Sequence, residues 1–321
     1  MSEPQRFAAT VPAEMSGKRL DQVLAEMFPD YSRARLKQWI LDGQVMVDAQ
    51  PRRPRDKLSG GESIVISAVP DERETWQPEN IVLDIVYEDD DIIVVNKPPG
   101  LVVHPAAGNL TGTLVNALLH YAPELNTLPR AGIVHRLDKN TSGLLIVART
   151  LPAHKRLVEQ LQARQCKREY LAVVNGVMIS GGTVDAAIGR HPVQRKRMAV
   201  VEGGGRAAIS HYRVMERFRS HTLVSVRLET GRTHQIRVHM AHIRHPLVGD
   251  PEYGGRLRLP KGASDKLREM LRSFRRQALH AARLTVIHPR SGRSMEWNVP
   301  MPADMEALIA ALREDATQYG K

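Results

Sequence analysis

Apolar positions follow two rhythms along the chain, a helical one near the front and a strand-like one after residue 80. Leu20, Val23, Leu24 and Met27 recur at three- and four-residue steps, and Pro29-Asp30 predicts the end of that helix. Ser32 is placed to cap a second helix over residues 33–42, with Leu36, Trp39 and Ile40 as its apolar stripe and Gly43 at its stop. Short strands are predicted over 45–47 and 63–67, with a basic run at 52–57 between them. Residues 70–80 are polar, contain two prolines and read as a linker. Beyond them the pattern predicts strands over 81–87, 92–96, 132–137, 143–148, 168–175, 182–188, 207–216, 221–228, 233–239 and 281–288. Helices are predicted over 113–121, 152–164 and 302–313. Strand runs without regular strand–helix alternation imply an α+β domain with a central mixed, largely antiparallel sheet.

The 321 residues divide on this reading into a tail (1–16), a small α/β domain (17–69), the linker (70–80) and a large domain (81–321). Charge separates the two domains further. Residues 1–75 hold 11 Lys and Arg against 12 Asp and Glu, so the net charge of +11 resides in the later, longer part. A sequence pI near 10.0 favours a polyanionic partner. A single cysteine, Cys166, rules out an intrachain disulfide and a multi-cysteine zinc site, which suits a reducing compartment. No run approaches the ~18 apolar residues that span a bilayer, and the first residues lack a secretory pattern, so the expectation is a cytoplasmic protein.

The densest chemistry lies in His135-Arg136-Leu137-Asp138 followed by Lys139-Asn140-Thr141-Ser142-Gly143. Here a lone carboxylate sits at a predicted strand edge, between a base and a turn of hydrogen-bonding side chains. Three other strings accompany it: Asn96-Lys97-Pro98-Pro99-Gly100, Lys167-Arg168-Glu169-Tyr170, and Gly231-Arg232-Thr233-His234-Gln235-Ile236-Arg237-Val238-His239. Alternation in the last would put Thr233, Gln235 and Arg237 on one face of a strand and His234, Ile236 and Val238 on the other. In this order the four strings resemble the pseudouridine synthase family that modifies ribosomal and transfer RNA, and residues 17–80 resemble the S4 RNA-binding domain.

That resemblance implies conversion of uridine to pseudouridine in an RNA, with large-subunit ribosomal RNA or its precursor particle as the expected partner. The chemistry is redox-neutral and implies no cofactor, and the chain has neither G-x-G-x-x-G after a strand nor a P-loop. The family's roles carry over to Asp138 as catalytic carboxylate, Arg237 as its counter-ion and Tyr170 as the residue stacking on uracil. Arg136 would fill the space left by the extruded base, or serve as a second counter-ion. His135, Thr141, Arg232, His234, Gln235, Asn96 and Lys97 are candidate substrate contacts. Lys18, Arg19, Arg33, Arg35, Lys37, Arg52 and Arg53 are candidate RNA contacts of the front domain. A monomer is expected.

Three other readings compete. His234, His239, His242 and His245 cluster within twelve residues, but H-E-x-x-H spacing is missing, so no metal site is expected. A non-catalytic RNA-binding factor explains the charge but not the joint presence of Asp138, Tyr170 and Arg237. A serine or cysteine hydrolase lacks both G-x-S-x-G and a partner for Cys166. Residues 256–276 hold eight Lys and Arg against Asp265 and Glu269, which predicts either a solvated insertion or an RNA-contacting element.

Overall fold

The structure is a computed structural model that describes residues 5–28, 33–68, 76–105, 109–195, 197–257 and 259–319. The chain divides into two compact units between Thr75 and Trp76, inside the stretch that reads as a linker.

The front unit contains β1 (Gln5–Thr10), α1 (Leu20–Met27), α2 (Arg33–Leu41), β2 (Val45–Val47), β3 (Gln50–Pro51) and β4 (Ser63–Ala68). Its sheet runs β1-β4-β2-β3, and every pair is antiparallel. The periodic residues Leu20, Val23, Leu24, Leu36, Trp39 and Ile40 are all buried against Val45, Val47, Ile64 and Ile66. Residues 5–11 correct the expected tail. Residues 5–10 form β1 along β4, and Val11 after it joins the core. The expected helix stop at Pro29-Asp30 and the cap at Ser32 lie outside the described residues.

The larger unit contains β5 (Ile85–Glu88), β6 (Ile92–Lys97), α3 (Leu114–Tyr121), β7 (Ser142–Ala148), α4 (Leu151–Gln162), β8 (Lys167–Asn175), β9 (Gly182–Asp185), β10 (Ile188–Arg190), β11 (Met198–Val200), β12 (Ile209–Arg217), β13 (His221–Leu228), α5 (Gln235–His242), α6 (Asp265–Ser273), β14 (Leu279–Ile287), β15 (Ser294–Asn298) and α7 (Ala303–Tyr319). Its main sheet follows the order β5-β6-β7-β14-β8-β13-β12-β9, with β15 beside β14. Only β7 and β14 pair in parallel, so the sheet is mixed and largely antiparallel.

Both faces of the sheet centre are covered, which explains why its strands read as solid apolar runs. Ile93, Val95, Leu145 and Val147 enter a core with Leu114, Val115 and Leu118 of α3. Their neighbours Ile92, Val94, Leu144 and Ile146 enter a second core with Ala153 and Leu157 of α4. Period-two alternation thus divides one apolar run between two layers.

Several expectations are corrected. Residues 76–79 are tied down, because Glu79 accepts the Gly112 N–H at 2.9 Å and Asn116 Nδ2 donates to the Gln77 carbonyl at 2.8 Å. Strand β5 begins only at Ile85. The basic stretch 256–276 is no solvated insertion throughout: Leu267 and Leu271 of α6 and Phe274 bury themselves against Met305, Leu308 and Leu312 of α7. Residues 132–137 and 233–239 are not strands, and both differences bear on the site. Among the described residues no helix is long and apolar enough to cross a membrane.

Candidate active site

Residues 133–138 approach β7 without joining its ladder. Arg130 and Ala131 adopt left-handed backbone angles, and a Cβ on Gly132 would overlap the Ala148 carbonyl oxygen. The chain is therefore kinked just where a strand would have to begin. One bridge joins Ile133 to Val147, and His135 Nε2 then accepts the Ile146 N–H at 3.2 Å in place of a backbone carbonyl. The chain leaves β7's side at Asp138 and returns through a turn closed by Thr141 N–H to the Asp138 carbonyl, 3.0 Å.

This turn is held from beneath. Arg276 Nη1 donates to the Asn140 carbonyl at 3.2 Å and Gln277 Nε2 to Thr141 Oγ1 at 3.0 Å. Lys97, fully buried, donates from Nζ to the carbonyls of Pro98 (2.8 Å), Leu101 (3.0 Å) and Lys139 (3.0 Å). Burial pulls its ammonium down to about 7, against the attraction of Asp138. Lys97→Met is expected to destabilise the protein by about 2–4 kcal/mol, since three carbonyls around its buried ammonium lose their donor. Urea unfolding checks this, and stability equal to the parent's would show that the carbonyls find other partners.

Helix α5 supplies the positive charge. Its N-cap, His234, has a left-handed φ of 58°, which turns the chain from the loop into the helix. A strand would send His234 and Arg237 to opposite faces. With His234 at the N-cap and Arg237 in the first turn of α5, the two reach the same carboxylate. Arg237 Nη1 donates to Asp138 Oδ2 at 3.2 Å, and His234 Nε2 lies 3.8 Å from Asp138 Oδ1.

Behind Arg237 stands Asp250, fully buried. It accepts Arg237 Nε at 2.7 Å and Nη2 at 2.9 Å, a bidentate clasp. The Tyr253 ring lies against the guanidinium at 4.9 Å, and its hydroxyl meets His234 Nδ1 at 2.8 Å. Burial opposes charge on both clasped partners. Their mutual hydrogen bonds outweigh it, leaving the Arg237 pKa raised and the Asp250 carboxyl below the usual range. Burial lowers the His234 pKa, with Asp138 opposing.

These groups border a cavity of about 850 Å³. Asp138, Tyr170, Arg237, Arg136, His135, Thr141, Arg232, His234 and Gln235 all line it. Tyr170 comes from β8 and is nearly covered, and burial raises its phenol pKa, so it holds its proton at neutral pH. Arg136 is exposed on the cavity lining, with no ion pair among the described residues. The amide of Gln235 is occupied by Thr230, Arg232 N–H and the Ile209 carbonyl, which makes it a brace of the loop. Asn96 and Lys97 do not line the cavity: Asn96 donates to Asp84 at 2.8 Å, and Lys97 braces the turn. Asp250, Tyr253 and Arg168 escape a reading of the sequence, because nothing in local pattern couples them to Arg237 or the cavity.

In the front unit Lys37, Arg52 and Arg53 are exposed. Lys18 pairs with Glu26 at 2.7 Å and Arg19 with Asp21 at 3.0 Å. Arg33 and Arg35 belong to α2, but their side chains lie outside the described residues.

The clustered histidines do not converge on one point. His239 bonds Ser210 and the Ala186 carbonyl, His245 bonds the Asn175 carbonyl, and His234 bonds Tyr253. Asp89, Asp91 and His288 do bring ligand atoms within 4.8 Å of one another. Their side chains are already engaged, His288 hydrogen-bonded to Asp89 at 2.9 Å and Arg290 paired with Asp91 at 2.6 Å.

Comparison with known proteins places this geometry in context. Residues 91–242 match the family model described as RNA pseudouridylate synthase, and residues 18–64 match the S4 domain. The chain is 58% identical over 320 residues to ribosomal large subunit pseudouridine synthase D of Escherichia coli O6:H1, covering 99% of this chain and 98% of the relative. It is 56% identical over 319 residues to the protein of the same name from Pseudomonas aeruginosa, covering 99% of each. Among solved structures, human RNA pseudouridylate synthase domain containing 4 superposes with a TM-score of 0.57 at 26% identity, over 71% of this chain and 92% of that one.

Proposed function

The chain belongs to the RNA pseudouridylate synthase family, and from that premise we propose that it isomerises uridines of large-subunit ribosomal RNA in the cytoplasm, as a monomer without a small-molecule cofactor. The reaction breaks the bond from N1 of uracil to C1′ of ribose and forms one from C5. The hydrogen leaves C5 and N1 gains one, so atoms and electrons balance without an oxidant.

One observation carries the residue roles: a carboxylate, its buried guanidinium partner and a buried tyrosine border one cavity lined with cations. Asp138 acts at the sugar while the glycosidic bond breaks. Arg237 holds the carboxylate in place through a hydrogen bond and an opposite charge. Tyr170 stacks on the uracil that has been turned out of the RNA. Arg136, exposed and without an ion pair among the described residues, takes the place of that base; a guanidinium is flat enough to stack there. Lys37, Arg52 and Arg53 hold folded RNA by its phosphates.

The test is a map of pseudouridines in ribosomal RNA from cells lacking this protein. Specific large-subunit positions are expected to revert to uridine and to be restored by the parent gene but not by an Asp138→Asn gene. An unchanged large-subunit map would refute the substrate assignment.

A further inference from the structure

We propose that Arg168 is a receptor for a phosphate of the target nucleotide, a role that rests on the RNA reading above. Arg168 and Tyr170 are two apart on β8, so the pleat turns both to one face, and both line the cavity. Glu169 turns the other way and accepts from Ser225 at 2.7 Å.

Three other arginines of this cavity have partners, whereas Arg130 and Arg136 stand exposed with no ion pair among the described residues. Arg237 holds Asp138 and Asp250, Arg164 pairs with Glu229 at 2.9 Å, and Arg232 donates to the Ala207 carbonyl. Arg168 is half-buried and forms no ion pair among the described residues, and its Nε is wholly covered without any hydrogen-bond partner. An exposed arginine without a partner is ordinary, whereas a covered donor left unmade is costly and needs a reason.

Two further cavity residues share this condition. Trp76 Nε1 and His135 Nδ1 are also buried without partners among the described residues. Because His135 Nε2 accepts the Ile146 N–H, its proton sits on Nδ1, and burial holds the ring neutral with a pKa of about 3. All three unmet groups are therefore N–H donors, and one carries a full charge. Donors without acceptors call for a ligand rich in acceptor oxygens and negatively charged. A phosphodiester meets that description, and a guanidinium can grip its two free oxygens at once.

The backbone beside Arg168 has made room for it. A Cβ on Gly231 would lie 2.8 Å from Arg168 Nη1. Glycine at that position lets the guanidinium approach the loop that leads into α5 closely.

The experiment uses the full chain and a short RNA hairpin with one loop uridine, made with a neutral methylphosphonate either 5′ or 3′ to it. Filter binding is expected to show about tenfold weaker affinity for Arg168→Met on unmodified RNA. One of the two methylphosphonates should weaken the parent similarly yet leave the variant unaffected, and Arg168→Lys should recover part of the loss. Arg168→Met should melt no lower than the parent, because it removes an uncompensated donor. Parent-like affinity in Arg168→Met, or equal methylphosphonate losses in parent and variant, would overturn the proposal, as would a lower melting temperature with unchanged affinity. Release of C5 tritium by the parent reports separately on the isomerase reading. Without release that reading falls, while the binding comparison still decides the role of Arg168.

Discussion

Asp138→Asn is expected to lower the isomerisation rate about ten-thousand-fold or more while RNA affinity stays close to that of the parent. Asparagine matches aspartate in shape, so the turn closed by Thr141 N–H and the Asp138 carbonyl is unaffected. Nor does the change strand Arg237, whose Nε and Nη2 remain clasped by Asp250. Only the negative charge and its reach toward the cavity disappear. Single-turnover assays with RNA tritiated at uracil C5, run beside a binding isotherm, separate the two effects. If the variant kept more than about one hundredth of the parent's rate, Asp138 would not be the group that acts at the sugar.

Asp250→Ala is expected to destabilise the protein by about 3–5 kcal/mol, the usual penalty for breaking a buried ion pair from one side. The buried guanidinium of Arg237 loses two hydrogen bonds, and the Asp250 carboxylate also accepts the Glu252 and Tyr253 N–H groups at 2.9 and 3.0 Å. Activity falls as well, since the remaining bond to Asp138 no longer has a fixed donor. The pH dependence has a definite sign. The folded Asp250 pKa lies below that of the unfolded chain, so its contribution is complete above an unfolded value of about 4. It is lost as pH falls from there through the folded value. Urea midpoints should therefore drop steeply below about pH 4 in the parent and more gently in Asp250→Asn. Parallel curves would mean that the clasp contributes nothing to acid stability.

The contrast between Leu20–Met27 and α5 shows which parts of the architecture a sequence exposes. Helix α1 packs one side on a core, so its apolar residues repeat at helical spacing and announce it. Residues 235–240 of α5 are buried all round. A helix without a polar face has no 3.6-residue signature, and the accidental alternation of Ile236 and Val238 then mimics a strand. Residues 132–137 mislead for a related reason. Ile133, Val134 and Leu137 are apolar because they pack beside β7, yet the left-handed kink at Arg130 and Ala131 keeps the segment off its ladder. Strand β1 is short and pairs with residues nearly sixty positions away, so nothing local marks it.

The site divides the same way. Asp138, Tyr170 and Arg237 stand in distinctive strings, and they meet at one cavity. Asp250 and Tyr253 belong to a loop whose importance arises only when α5 turns Arg237 toward it. Arg168 stands beside Tyr170 in the same string, but its Nε, without a partner among the described residues, stands out only in three dimensions.

The lone parallel pair in the main sheet fixes when this protein can first work during synthesis. Strand β7 begins four residues after Asp138, yet its neighbour β14 is translated some 140 residues later. Gln277 and Arg276, which brace the Asp138 turn, arrive with that late strand. A nascent chain stalled before residue 276 already carries all four signature strings and still has no assembled centre. Fragments released before residue 276 are therefore expected to isomerise no uridine, although they carry the front unit.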